Sequence, residues 1–147
     1  MKIPQISVFI QNETGHLRDC IRRLSEAKVN LCALSLADTK HFGILRLITC
    51  ECEKAKEILE SSGYVTKTSD VLAVEIDNTP GSLLSILDLE ADTGVNIEYM
   101  YAFANNHESS AVMVFCFDNI DRAITILEGK GHRLIHKDSP FLKEGKC

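Results

Sequence analysis

The chain has 147 residues, of which 45% are hydrophobic and 25% charged, the proportions of an ordinary globular protein. Sixteen lysines and arginines stand against 21 aspartates and glutamates, for a formal net charge of −5. That balance excludes a nucleic-acid partner, which needs a basic face to displace counterions. No apolar run approaches the ~20 residues of a membrane-spanning helix, so no membrane partner is expected.

The chain opens with Met1-Lys2-Ile3-Pro4-Gln5, and its apolar stretch is soon broken by Gln11-Asn12-Glu13. This does not read as a signal peptide. The expectation is a cytoplasmic chain with reduced thiols at Cys20, Cys32, Cys50, Cys52, Cys116 and Cys147. Cys50-x-Cys52 lacks the spacing of a redox or zinc motif, so the cysteines read as small buried hydrophobes. Neither a metal nor a cofactor is expected.

Ile6, Val8 and Ile10 alternate, the pattern of a strand with one buried face. A turn follows at Asn12-Glu13-Thr14-Gly15-His16. Leu17, Cys20, Ile21 and Leu24 then fall at i, i+3, i+4 and i+7, the apolar stripe of a helix ending near Lys28. Residues 31–37 read as a second strand, 38–41 as a polar hairpin loop, 44–49 as a third strand and 52–62 as a second helix. A short strand follows Gly63.

The same order then recurs. Leu72, Val74 and Ile76 alternate, and Asn78-Thr79-Pro80-Gly81-Ser82 forms the turn. The next helix carries Leu83, Ile86, Leu87 and Glu90 at the same spacing, with Leu84 and Ala91 able to extend the stripe, and ends near Gly94. Strands are expected at 97–104 and 111–117 around a loop at 105–110. A helix at 120–129 and a short strand after Gly131 complete the order. Gly15 and Gly81 stand 66 positions apart, and so do Asn30 and Asn96. Past the hairpin loop the offset becomes 68, matching Ala55, Ile58, Leu59 and Gly63 to Ala123, Ile126, Leu127 and Gly131. The chain is therefore two copies of one unit, at 1–70 and 71–138, with a tail at 139–147. Each copy reads β-α-β-β-α-β, an α+β ferredoxin-like unit with helices on one face of an antiparallel sheet.

The turn segments allow two readings. As structure, Asn-x-Pro-Gly is a helix cap with Asn in an Asx turn and Pro80 starting the helix. As chemistry, glycine admits close approach to the backbone, and the helix N-terminus favours a carboxylate. An Asn side chain has a donor and an acceptor to offer an amino acid. Glu13, Glu75, Asp77 and Glu98 make the neighbourhood acidic.

In this context Asn78-Thr79-Pro80-Gly81-Ser82-Leu83 followed by Gly94-Val95-Asn96-Ile97 resembles the ACT domain. The first copy departs from the pattern, with Thr14 in place of the proline and Lys28 in place of the glycine. The resemblance covers nearly the whole chain. It implies a regulatory module that binds a free amino acid, with units associating side by side through their second-strand edges. The loop of one unit would face the second strand of its neighbour. The implied site residues are Asn78, Thr79, Pro80, Gly81 and Ser82 with Asn96 and Ile97. Their equivalents are Asn12, Glu13, Thr14, Gly15 and His16 with Asn30 and Leu31. No span is left over for a catalytic domain. The expectation is a non-enzymatic homodimer that senses an amino acid and regulates a metabolic enzyme in trans; the alternative is a ligand-free assembly module.

Two other functions share this topology. An acylphosphatase-like enzyme needs an Arg in its first loop, and neither turn segment has one. The histidines His16, His41, His107, His132 and His136 show no base-and-nucleophile spacing. An RNA-binding domain stacks bases on central strands. Tyr99, Tyr101 and Phe103 alternate, but on the second strand, where they read as packing or as the wall of a pocket near Ile97.

Overall fold

The computed structural model describes residues 1–38, 42–103 and 110–139. Of the loops expected at 38–41 and 105–110, residues 39–41 and 105–109, with His41 and His107, lie outside them, as does most of the tail at 139–147, whereas Asp38 and Ser110 belong to strands. The elements in chain order are β1 (Ile3–Gln11), α1 (His16–Glu26), β2 (Ala33–Asp38), β3 (Phe42–Ile48) and α2 (Cys52–Ser61). After them come β4 (Val65–Asp77), α3 (Ser82–Thr93), β5 (Ile97–Ala102), β6 (Ser110–Phe117), α4 (Ile120–Gly129) and β7 (Arg133–Leu134). The fold is α+β, two ferredoxin-like units in tandem, with antiparallel strand pairing in each.

One compact unit spans Pro4–Ser69; the other comprises Asp70–Ser139 with Met1–Ile3. In the first, β3 lies between β2 and β1. In the second, β6 lies between β4 and β5, and β7 pairs with β4. The boundary falls inside β4. The short strand after Gly63 and the strand at 72–76 are thus one continuous element. No glycine or proline separates Val65 from Asp77 to interrupt it.

Each unit builds its own core on one sheet face. In the first, Ile6, Val8, Leu45 and Leu47 meet Cys20 and Leu24 of α1 and Ala55 and Leu59 of α2, all essentially buried. In the second, Leu72, Val74 and Phe115 meet Ile86 of α3 and Ala123 and Leu127 of α4. Phe115 and Phe117 stack there with ring centroids 5.8 Å apart. The stripe of α3 differs from the sequence expectation. Leu83, Ile86 and Leu89 face the core, whereas Leu84 is 57% exposed and Ala91 is also exposed. Leu84 is one residue, or ~100°, around the helix from Leu83, and that places it on the outer face.

The strand β5 holds a second departure. Ile97 pairs with Phe117, and Tyr99 pairs with Cys116, so Glu98 is the extra residue of a bulge. Ile97 therefore shares the core face with Phe117 and packs there, whereas Tyr99 and Tyr101 lie on the opposite face, half-buried. Ile97 and the tyrosines do not line one pocket.

Candidate functional site

Both turn segments adopt one geometry. His16 N–H donates to Glu13 C=O at 3.3 Å, and Ser82 N–H donates to Thr79 C=O at 3.3 Å. The third residue of each turn is glycine with positive φ, 98° at Gly15 and 94° at Gly81. This is a type II turn, in which position two favours Pro and position three requires φ > 0. Pro80 and Thr14 occupy the same second position. Pro80 thus belongs to the turn and does not start the helix. Nor does Asn12 cap α1: Gly15 holds the cap position with no side-chain hydrogen bond.

The turns are open to solvent. Asn78, Thr79, Pro80 and Gly81 are exposed, as are Asn12, Glu13 and Thr14, while Ser82, Gly15 and His16 are half-buried. A Cβ built on Gly15 or Gly81 would meet nothing within 4 Å. Glycine is therefore demanded by φ, and the space beside each backbone is empty. Thr79 Oγ1 and Ser82 Oγ are hydrogen-bonded at 2.9 Å, tying the turn across its base. His16 Nε2 lies 3.6 Å from Glu13 Oε2. The N–H groups of His16 and Ser82, first in α1 and α3, are spent within the turns; those of the residues that follow lie at the positive end of the helix dipole, which favours an anion.

The second-strand residues lie elsewhere in each unit. Leu31 and Ile97 pack their side chains against the two cores, and Asn30 and Asn96 are exposed. Within the first repeat, Gly15 and Asn30 flank α1, whose eleven residues span roughly 16 Å. The twelve residues of α3 likewise put roughly 18 Å between Gly81 and Asn96. Neither repeat brings its own two elements together. The second-strand element of the second repeat is also engaged: Asn96 N–H donates to Asp118 Oδ1 at 3.0 Å, and Asp118 N–H donates to Asn96 C=O at 3.1 Å.

Each repeat also carries a cleft between the end of its first strand and the turn before its last. In the first repeat it holds ≈ 290 Å³ and is lined by His16, Asp19 and Tyr64 among others. In the second it holds ≈ 330 Å³, lined by Glu75, Asp77, His132 and Arg133. Arg133 Nη2 lies 3.2 Å from Glu75 Oε2, so that carboxylate is already paired. Tyr64 and Arg133 stand in no motif of the sequence, and His132 figures there only as a histidine without base-and-nucleophile spacing. Their signal was the matched pair Gly63 and Gly131, with φ of 87° and 81°, just ahead of each last strand. Among the described residues no group of three or more His, Cys, Asp or Glu side chains is placed to hold a metal ion.

The sequence matches the family described as the ACT domain pair over residues 1–139. The chain belongs to that family. The ACT pair is similar to protein BT0572 from Bacteroides thetaiotaomicron at 35% identity, with 98% of each chain covered and a TM-score of 0.89. It shares the fold of the regulatory subunit of aspartate kinase from Thermus thermophilus, at 16% identity, 89% and 94% coverage and a TM-score of 0.66. The Thermus flavus subunit gives 18% identity, 87% and 90% coverage and a TM-score of 0.63. No curated protein matches the chain in sequence. Membership in the ACT pair family gives this chain a regulatory fold. Among its described residues no helix is long and apolar enough to cross a membrane.

Proposed function

We propose that this ACT pair binds a free amino acid and regulates a metabolic enzyme in trans, without a catalytic step of its own. The observation that carries the reading is the repeated type II turn, which sets exposed backbone at a helix start with empty space beside its glycine. Such a turn suits a carboxylate, and the exposed Asn78 amide suits the ammonium of the same molecule. Asn78, Thr79, Pro80, Gly81 and Ser82 are one half of the proposed site, with Asn12, Glu13, Thr14, Gly15 and His16 as its counterpart. Asn30 and Leu31, or Asn96 and Ile97, are the other half through their backbone.

The span of α1 or α3 between the halves supports completion of the site by a second unit. A homodimer joined side by side at second-strand edges supplies one. A ligand meeting the Asn96 backbone has to displace Asp118. Two solved structures of the same fold are regulatory subunits of aspartate kinase, which supports control of an enzyme by a separate chain.

The test is a screen of the purified protein against the twenty amino acids by calorimetry and thermal shift. At 100 times its Kd, a ligand adds about 2.7 kcal/mol of stability. At least one amino acid is expected to bind, and Asn78→Ala to weaken it; Asn12→Ala then shows whether the first repeat takes part. If none binds at millimolar concentration, the sensor reading fails. The exposed Leu34 and Leu36 of β2 would then favour the assembly module.

A further inference from the structure

The two clefts are one place in the fold lined by different chemistry. Their backbones agree: Tyr64 N–H donates to Leu59 C=O at 3.0 Å, and His132 N–H donates to Leu127 C=O at 2.9 Å. At the 66- and 68-residue offsets, Phe9, Tyr64 and Val65 of the first cleft take the places of Glu75, His132 and Arg133 in the second. Glu75 and Arg133 are partners across β4 and β7 and form the ion pair at 3.2 Å. In their places Phe9 and Val65 are 44% and 68% exposed, beside Tyr64, which packs against the first core. The clefts differ in reach as well. His16 and Asp19 of α1 line the first, whereas their counterparts Ser82 and Ser85 do not line the second. The first cleft therefore reaches the turn at Asn12–His16. Asp19 is already paired, its Oδ1 3.6 Å from Arg22 Nη2. The cysteines stand apart from both clefts; Cys32 is disulfide-bonded, which corrects the expectation of reduced thiols throughout.

We propose that the two repeats take different amino acids, and that the first cleft receives an aromatic side chain. This rests on the reading that the turns hold a free amino acid. With its carboxylate at the first turn, the ligand extends past His16 toward Phe9, Tyr64 and Val65. A ring there removes two exposed apolar side chains from water and meets the rings of Phe9 and Tyr64 edge-to-face or offset. The cleft holds ≈ 290 Å³, at the small end of ligand sites, which begin at roughly 300 Å³, and so suits a molecule of amino-acid size. Asp19 is matched by Arg22, so the cleft does not ask for a charged side chain. The second cleft turns the same ring away. A ring entering it strips water from the Glu75–Arg133 pair and returns no hydrogen bond, which costs free energy. The ligand held at Asn78 is therefore one with a polar side chain.

The test titrates the full chain with L-phenylalanine by calorimetry and follows its backbone amides by NMR. A single phenylalanine site per chain is expected, shifting the amides of Gly63 and Val65 and leaving those of Gly131 and Arg133 in place. Phe9→Glu combined with Val65→Arg gives the first cleft the ion pair of the second, and should weaken phenylalanine about tenfold or more. Equal shifts at both pairs of amides overturn the proposal. So does a double variant that folds by circular dichroism and binds phenylalanine as the wild type does. If the variant fails to fold, the wild-type amide shifts still decide. If phenylalanine does not bind at millimolar concentration while another amino acid does, the aromatic assignment fails and the amino-acid reading stands. If none of the twenty binds, both fall.

Discussion

At the scale of single residues, two positions carry measurable consequences. Gly81 holds φ 94°, a left-handed conformation that strains any side chain, although a Cβ there meets nothing. Gly81→Ala is expected to cost about 1 kcal/mol, read by denaturant unfolding, and to weaken any amino acid that binds in the screen. Cys20 is fully buried, and desolvation pushes its thiol from 9.0 to about 11. Between those values the unfolded chain binds fewer protons than the folded one, so stability falls as pH rises through the window. The loss is about 2–3 kcal/mol, and Cys20→Ala should make the slope between pH 9 and 11 shallower. Burial raises Cys52 and Tyr64 as well, so a residual slope is expected.

At the scale of elements, the first-repeat turn explains why Thr14 can stand where the second repeat has Pro80. Both occupy the second position of a type II turn, which proline fits by its fixed φ. Thr14→Pro should therefore keep the fold and raise stability by about 0.4–1 kcal/mol, measured as a shift in the unfolding midpoint at constant slope. Much of this level was legible in the sequence. Alternation at Ile6, Val8 and Ile10 and the 66- and 68-residue offsets located the strands, helices and turn glycines. The bulge at Glu98 was not legible, because one extra residue in a strand shows only against its partner's register. The Asp118 contact was also hidden, since it depends on pairing across 22 residues of chain. The α3 stripe misled because apolar residues at 83, 84, 86, 87 and 89 fit more than one helix face.

At the scale of the whole molecule, the edges of the sheets matter most. β2 pairs only with β3, and β5 only with β6, among the described residues. On the core-side face of these edges, Leu34, Leu36 and Met100 are 51%, 45% and 40% exposed. Sheet-edge strands beside exposed apolar side chains promote association between chains. Leu36→Glu is expected to shift the protein toward smaller species in sedimentation velocity while leaving its monomer fold intact by circular dichroism. An unchanged sedimentation profile would argue against assembly through β2. The candidate site was legible as a motif but not as a completed place. The separation of its halves emerges only when α1 and α3 take their lengths in space.

The uninterrupted course of β4 has a consequence for how this duplication can vary. A strand alternates its side chains between two faces, so the residues on either side of Ser69 and Asp70 are locked in phase. A linker between repeats would absorb insertions of any length; this seam can absorb only even ones. A single residue inserted between Ser69 and Asp70 exchanges the two strand faces beyond the junction, so that Leu72 and Val74 of the helix-side core trade places with Val71 and Ala73, all four fully buried. Two inserted residues restore the parity. The expected outcome is that the one-residue insertion lowers the thermal midpoint much more than the two-residue insertion, a ranking opposite to that of insertion length.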